Sequence, residues 1–74
     1  MVSASPSLIA IDLNGEPYTI QGNSGLEALL KKLNLPPSRV AVEINRAVVP
    51  KAEYARTVLK PGDKVEIINF VGGG

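Results

Sequence analysis

The chain has 74 residues, a net charge of +1, and neither cysteine nor histidine. That length suits one domain, and the missing residue types exclude disulfides, thiolate zinc sites, iron–sulfur clusters and the commonest general base. With 45% apolar residues and only Tyr18, Tyr54 and Phe70 as aromatics, packed Val, Ile, Leu and Ala side chains must hold the fold. Lysine and arginine are scattered, so a nucleic-acid interface is not expected. No apolar run has the length of a membrane span, and no basic segment followed by a long apolar stretch opens the chain. The expected location is the cytoplasm.

Residues 1–7 are small and polar and read as a loose lead-in. Leu8 to Leu13 places Ile9, Ile11 and Leu13 on one face at period two, the pattern of a strand. Asn14-Gly15 favours the positive backbone angles of a type I′ turn and predicts a hairpin. Its second strand is Glu16 to Gln21, where Pro17 argues for an edge position or a strand start. Ser24-Gly25-Leu26-Glu27 has the spacing of a capping box. Leu26, Leu29, Leu30 and Leu33 then form one helical face. Lys31 and Lys32 suit the negative end of the helix dipole, and Pro36-Pro37 is expected to stop the helix.

Val40, Val42 and Ile44 alternate with Ala41, Glu43 and Asn45, which predicts a half-buried strand. Asn45-Arg46 reads as a tight turn and Ala47 to Val49 as a short return strand. Pro50 opens a short helical turn through Arg56, with Tyr54 and Leu59 packed beneath it. Pro61-Gly62-Asp63 is turn chemistry. Lys64 to Phe70 is the last strand, and residues 71–74 are a flexible tail. The order predicts one α+β domain over residues 1–74, a mixed sheet with one main helix packed across it. First and last strands side by side at its centre would make it a β-grasp fold.

The C-terminus is the place where chemistry is expected. Gly72-Gly73-Gly74 follows the apolar strand directly. Glycine has no Cβ, so such a tail is thin enough to thread a narrow channel and present its carboxylate inside a partner. If Val65 and Ile67 face the core, Ile68 and Phe70 face the other way. They would form an exposed apolar surface beside Val71 and Gly72, suited to partner docking. The carboxylates Asp12, Glu16, Glu27, Glu43, Glu53, Asp63 and Glu66 show no readable pairing and are expected on the solvated surface, with Glu27 a helix cap. No metal site and no catalytic constellation is expected.

The stretch Val40-Ala41-Val42-Glu43-Ile44-Asn45-Arg46-Ala47-Val48-Val49-Pro50-Lys51 resembles the middle of the thiamine-pathway sulfur carriers, the ThiS family. Leu59-Lys60-Pro61-Gly62-Asp63-Lys64-Val65-Glu66-Ile67 resembles the family's next segment, and Gly73-Gly74 its functional end. The chain departs from the family in having Tyr54 where Trp is frequent, Asn45-Arg46 where Asn-Gly is frequent, and Gly72 as a third glycine.

The resemblance implies a ubiquitin-like β-grasp fold and a non-enzymatic role as sulfur-carrying cosubstrate with no bound cofactor. It implies a ThiF-type adenylating enzyme that uses ATP and magnesium to activate Gly74, a sulfur source derived from a cysteine desulfurase, and thiazole synthase as acceptor. No nucleic-acid or membrane partner is implied. Rival readings are a carrier for molybdopterin synthase, tRNA thiolation or cysteine synthesis, a ubiquitin-like protein modifier, or an interaction module with an idle tail.

Overall fold

The computed structural model describes residues 7–70. Strand β1 (Leu8–Leu13) and strand β2 (Glu16–Gln21) form the first hairpin. Asn14 and Gly15 have φ of 52° and 89°, the positive pair that a two-residue type I′ turn requires. The Asp12 carboxylate accepts from the Gly15 N–H at 2.7 Å and fixes the turn. Pro17 lies opposite Asp12 on β2, an edge of the sheet. In such a hairpin that pair exchanges no ladder bonds, so no N–H is missed there.

The helix α1 spans Leu26–Lys32 and buries Leu26, Leu29 and Leu30. At seven residues it is too short to persist alone, and its stability comes from those leucines. The expected capping box does not form. Gly25 is the N-cap, without a side-chain cap bond, and the Ser24 hydroxyl donates instead to the Gln21 carbonyl. The reason is tertiary. Gly25 and Val58 form a β-bridge, the Leu26 N–H donates to the Thr57 carbonyl at 2.8 Å, and the Leu59 N–H donates to the Ser24 carbonyl at 2.9 Å. The first helical amide therefore has a partner from another part of the chain, and Glu27 stays exposed.

The helix also ends before Pro36-Pro37. Asn34 is left-handed (φ 59°), its N–H donates to the Lys31 carbonyl, and the Leu35 N–H reaches back to Leu30. This paired closure satisfies the last carbonyls. Pro37 then begins a 3₁₀ turn, Pro37–Arg39.

Strand β3 (Val40–Ile44) turns through Asn45 and Arg46, with φ of 54° and 72°, into the two-residue strand β4 (Ala47–Val48). Asn45 and Val49 therefore fall just outside the strands. A 3₁₀ helix, Lys51–Arg56, carries buried Tyr54. Strand β5 (Lys64–Asn69) closes the sheet and leaves Phe70 one residue beyond it. The sheet order is β2-β1-β5-β3-β4, with β1 and β5 parallel and the other pairs antiparallel. This is the ubiquitin-like β-grasp arrangement. Ile11, Ile20, Val40, Val42, Val65 and Ile67 meet the α1 leucines, Tyr54 and Leu59 in one core, and no charged or strongly polar residue is buried among the described residues.

The two hairpin turns hold β5 from opposite sides. The Asn14 side-chain oxygen accepts from the Ile67 N–H at 2.8 Å, and its amide donates to the Ile67 carbonyl at 3.4 Å. The Asn45 side-chain oxygen accepts from the Lys64 N–H at 2.9 Å, and its amide donates to the Asp63 carboxylate at 3.0 Å. Asn14→Ala loses both bonds to Ile67 and a residue suited to positive φ, and should cost about 1–2 kcal/mol. Arg46→Gly relieves a bulky residue at positive φ and should gain about 0.5–1 kcal/mol. Urea melts of the two variants beside the parent check both signs.

Candidate functional site

Strand β5 decides which side chains the end of the chain presents. Its alternation sends Val65 and Ile67 inward, fully buried and 8% exposed respectively. Ile68 lies on the outer face at 58% exposure, and Phe70, just past the strand, is 52% exposed. The expected register therefore holds, and these two apolar groups stand free of the core. Ala41 lies directly across from Ile68 on β3. Val71, Gly72, Gly73 and Gly74, the remaining expected site residues, lie outside the described residues.

The surroundings of this surface have a charge pattern that the linear spacing does not display. Glu43 of β3 lies opposite Glu66 of β5, one step along the same outer face from the Ala41–Ile68 pair. Like charges directly across a ladder repel, so this face is locally negative beside its apolar end. On the other side of β5, Asp12 of β1 lies opposite Lys64. Among the described residues, no group of three or more acidic, histidine or cysteine side chains gathers in a metal-binding arrangement. No helix of the described residues is long and apolar enough to cross a membrane.

The backbone at this end is fixed where it leaves the sheet. The Phe70 N–H donates to the Arg39 carbonyl at 2.8 Å, and Val40 pairs with Asn69. The Asn14 side chain holds Ile67 three residues earlier. Asn14 reads in sequence as a turn former, and its grip on a strand 53 positions away has no local signal. Arg39 acts through its carbonyl, so its side-chain type carries no signal either.

Among the described residues, this surface holds no buried charged side chain. It presents an apolar outer face, Ile68 and Phe70, on a backbone anchored as far as Phe70.

The family model for the ThiS family matches residues 11–74. The chain is 34% identical to the sulfur carrier protein ThiS of Bacillus subtilis, over 86% of this chain and 98% of that one. It is 45% identical to a thiazole synthase of Magnetococcus marinus over 86% of this chain, and it spans 20% of that protein's length. A crystal structure of the thiamine biosynthesis protein ThiS from Geobacter metallireducens superposes with a TM-score of 0.75 at 33% identity, over 89% of this chain and all of that one.

Adjacent residues on β5 should respond oppositely to truncation. Ile67→Ala removes a core side chain and should cost about 2–4 kcal/mol. Ile68→Ala should cost less than about 1 kcal/mol. Denaturant titration of the pair tests the assigned faces, and equal losses would contradict them.

Proposed function

The chain belongs to the ThiS family, and on that premise we propose that it carries sulfur for the thiazole ring of thiamine on its Gly74 carboxylate. The observation that carries the choice of acceptor is the match to a fifth of a thiazole synthase. In that protein a segment like this chain shares a polypeptide with the rest of the synthase. Tethering raises the effective concentration of a carrier at its acceptor, so the pairing makes chemical sense where the carrier is separate.

The cycle begins with a carboxylate, which is a poor electrophile. A ThiF-type adenylating enzyme, using ATP and magnesium, supplies the leaving group. A Gly74 carboxylate oxygen attacks the α-phosphorus of ATP, an acyl–phosphate bond forms, and pyrophosphate departs. Sulfur from a cysteine-desulfurase source, released as hydrosulfide when a thiol reductant cleaves the persulfide, adds to the acyl carbon. With hydrosulfide, the new C–S bond replaces the C–O bond to AMP, and AMP leaves. The terminal thiocarboxylate then passes its sulfur to the precursor held by thiazole synthase, the acyl carbon takes an oxygen in exchange from that precursor or from water, and the carrier re-enters as a carboxylate. It is a recycled cosubstrate and not a catalyst.

Each part of the chain has a task in this reading. Gly73 and Gly74 carry no side chain to obstruct attack at the acyl carbon. Ile68 and Phe70 dock on the partner, with Val71 and Gly72 leading from that contact to the reacting end. The face is exposed in the folded carrier, so docking does not require the core to open.

Adenylation is read by carrier-dependent exchange of pyrophosphate into ATP. Removing Gly73 and Gly74 together should abolish exchange and leave the circular-dichroism spectrum unchanged. Phe70→Ala should raise KM for the carrier about tenfold with kcat preserved. An unchanged KM would refute the docking role, and full exchange without Gly73 and Gly74 would refute the carrier role. Recovery of the protein joined to lysines of other proteins would favour a modifier instead.

A further inference from the structure

We infer that Lys51 is a positioning residue for the C-terminal tail, acting through the turn that anchors Phe70. Its ammonium donates to the Pro37 carbonyl at 3.0 Å and to the Val40 carbonyl at 2.7 Å. These carbonyls bracket Ser38 and Arg39. The turn between them supplies the Arg39 carbonyl, which accepts from the Phe70 N–H at 2.8 Å. That bond is the last one along the chain among the described residues. The connection from Lys51 to the tail is therefore short and physical: ammonium, clasped turn, Arg39 carbonyl, Phe70 amide.

The clasp is built rather than incidental. Pro50 caps the 3₁₀ helix that starts at Lys51, setting the direction from which the side chain crosses. The ammonium lies 5.6 Å from the centre of the Tyr54 ring, within range of a cation–π attraction. Tyr54 is buried, and its hydroxyl donates to the same Val40 carbonyl at 3.4 Å. A charged donor makes stronger bonds to carbonyls than a neutral one. A hydrophobic side chain of similar length would fill the space without holding the turn. The backbone would then keep its 3₁₀ bonds, Arg39 N–H to Pro36 and Val40 N–H to Pro37, and lose the external tie that fixes it against β5.

The consequence for activation rests on the carrier reading above, whereas the clasp itself stands on geometry. The two are tested separately. Lys51→Met keeps the aliphatic stem and removes the charge. Lys51→Arg keeps the charge, with donors enough for both carbonyls. Residue-resolved amide exchange should show Phe70 exchanging about tenfold faster in Lys51→Met, with Val42 and Ile67 at parental rates and Lys51→Arg restoring Phe70. Activation by the adenylating enzyme should show KM for the carrier raised about tenfold in Lys51→Met, with kcat unchanged and Lys51→Arg near the parent.

Unchanged Phe70 exchange, or equal acceleration at Phe70, Val42 and Ile67, overturns the clasp. An unchanged KM in a folded Lys51→Met overturns the positioning role. If Lys51→Met does not fold, the parent decides: Lys51 ammonium protons should exchange with water more slowly than those of every other lysine, and equal rates overturn the clasp. A parent protein that is never adenylated refutes the carrier reading, while the exchange data still decide the clasp.

Discussion

The structure depends on how its last strand is held. β5 lies at the centre of the sheet, parallel to β1 and antiparallel to β3. Its N–H and C=O groups meet partners on both sides, and its inward residues Val65 and Ile67 complete the core. The parallel pairing with β1 is brief, Asp12 with Lys64 and Leu13 with Val65. Beyond it the chain passes the end of the first hairpin, where the Asn14 side chain takes over the backbone groups of Ile67. The side-chain amide thus extends the ladder past the end of β1. Paired backbone groups of this kind avoid the penalty of an unmet buried donor or acceptor.

A strand held this firmly can present its other face without cost to the core. Period-two alternation gives the inner side to the aliphatic core and the outer side to Glu66 and Ile68. The surface proposed to dock is thus mechanically continuous with the most constrained part of the molecule. In the proposed role, a partner that grips Ile68 and Phe70 meets a segment the sheet has already ordered, which reduces the entropy lost on docking. The same logic explains why turns far apart in sequence matter. Asn14, Asn45 and the Pro37–Arg39 turn each supply a bond to the segment that ends in Phe70.

Much of this was legible in the residues. Strong local signals gave β1 and β2 at their observed bounds, the type I′ turn at Asn14-Gly15, the tight turn at Asn45-Arg46, the leucine face of α1 and the two faces of β5. Each is set by periodicity or by a residue's own backbone preference. The misreadings share one physical origin. The capping-box pattern at Ser24 and Glu27 is local, but Leu26 found its partner at Thr57, far along the chain. Pro36-Pro37 is a loud stop signal, yet Asn34 had already closed the helix by adopting a left-handed conformation. Asn14 and Lys51 make their decisive bonds through side chains reaching across 53 and 14 positions. Local patterns carry no record of such bonds. The Glu43–Glu66 opposition depends on register and emerges only when β3 and β5 are paired.

The proposed role requires the end of this chain to bear sulfur as a terminal thiocarboxylate. Its most direct test is the intact mass of the purified protein after incubation with the adenylating enzyme, magnesium-ATP and sulfide. The account predicts a gain equal to replacing one oxygen by sulfur, located by fragmentation to Gly74 and reversed when thiazole synthase and its other substrates are added. An unchanged mass, with an enzyme shown to activate a known ThiS carrier, would contradict it.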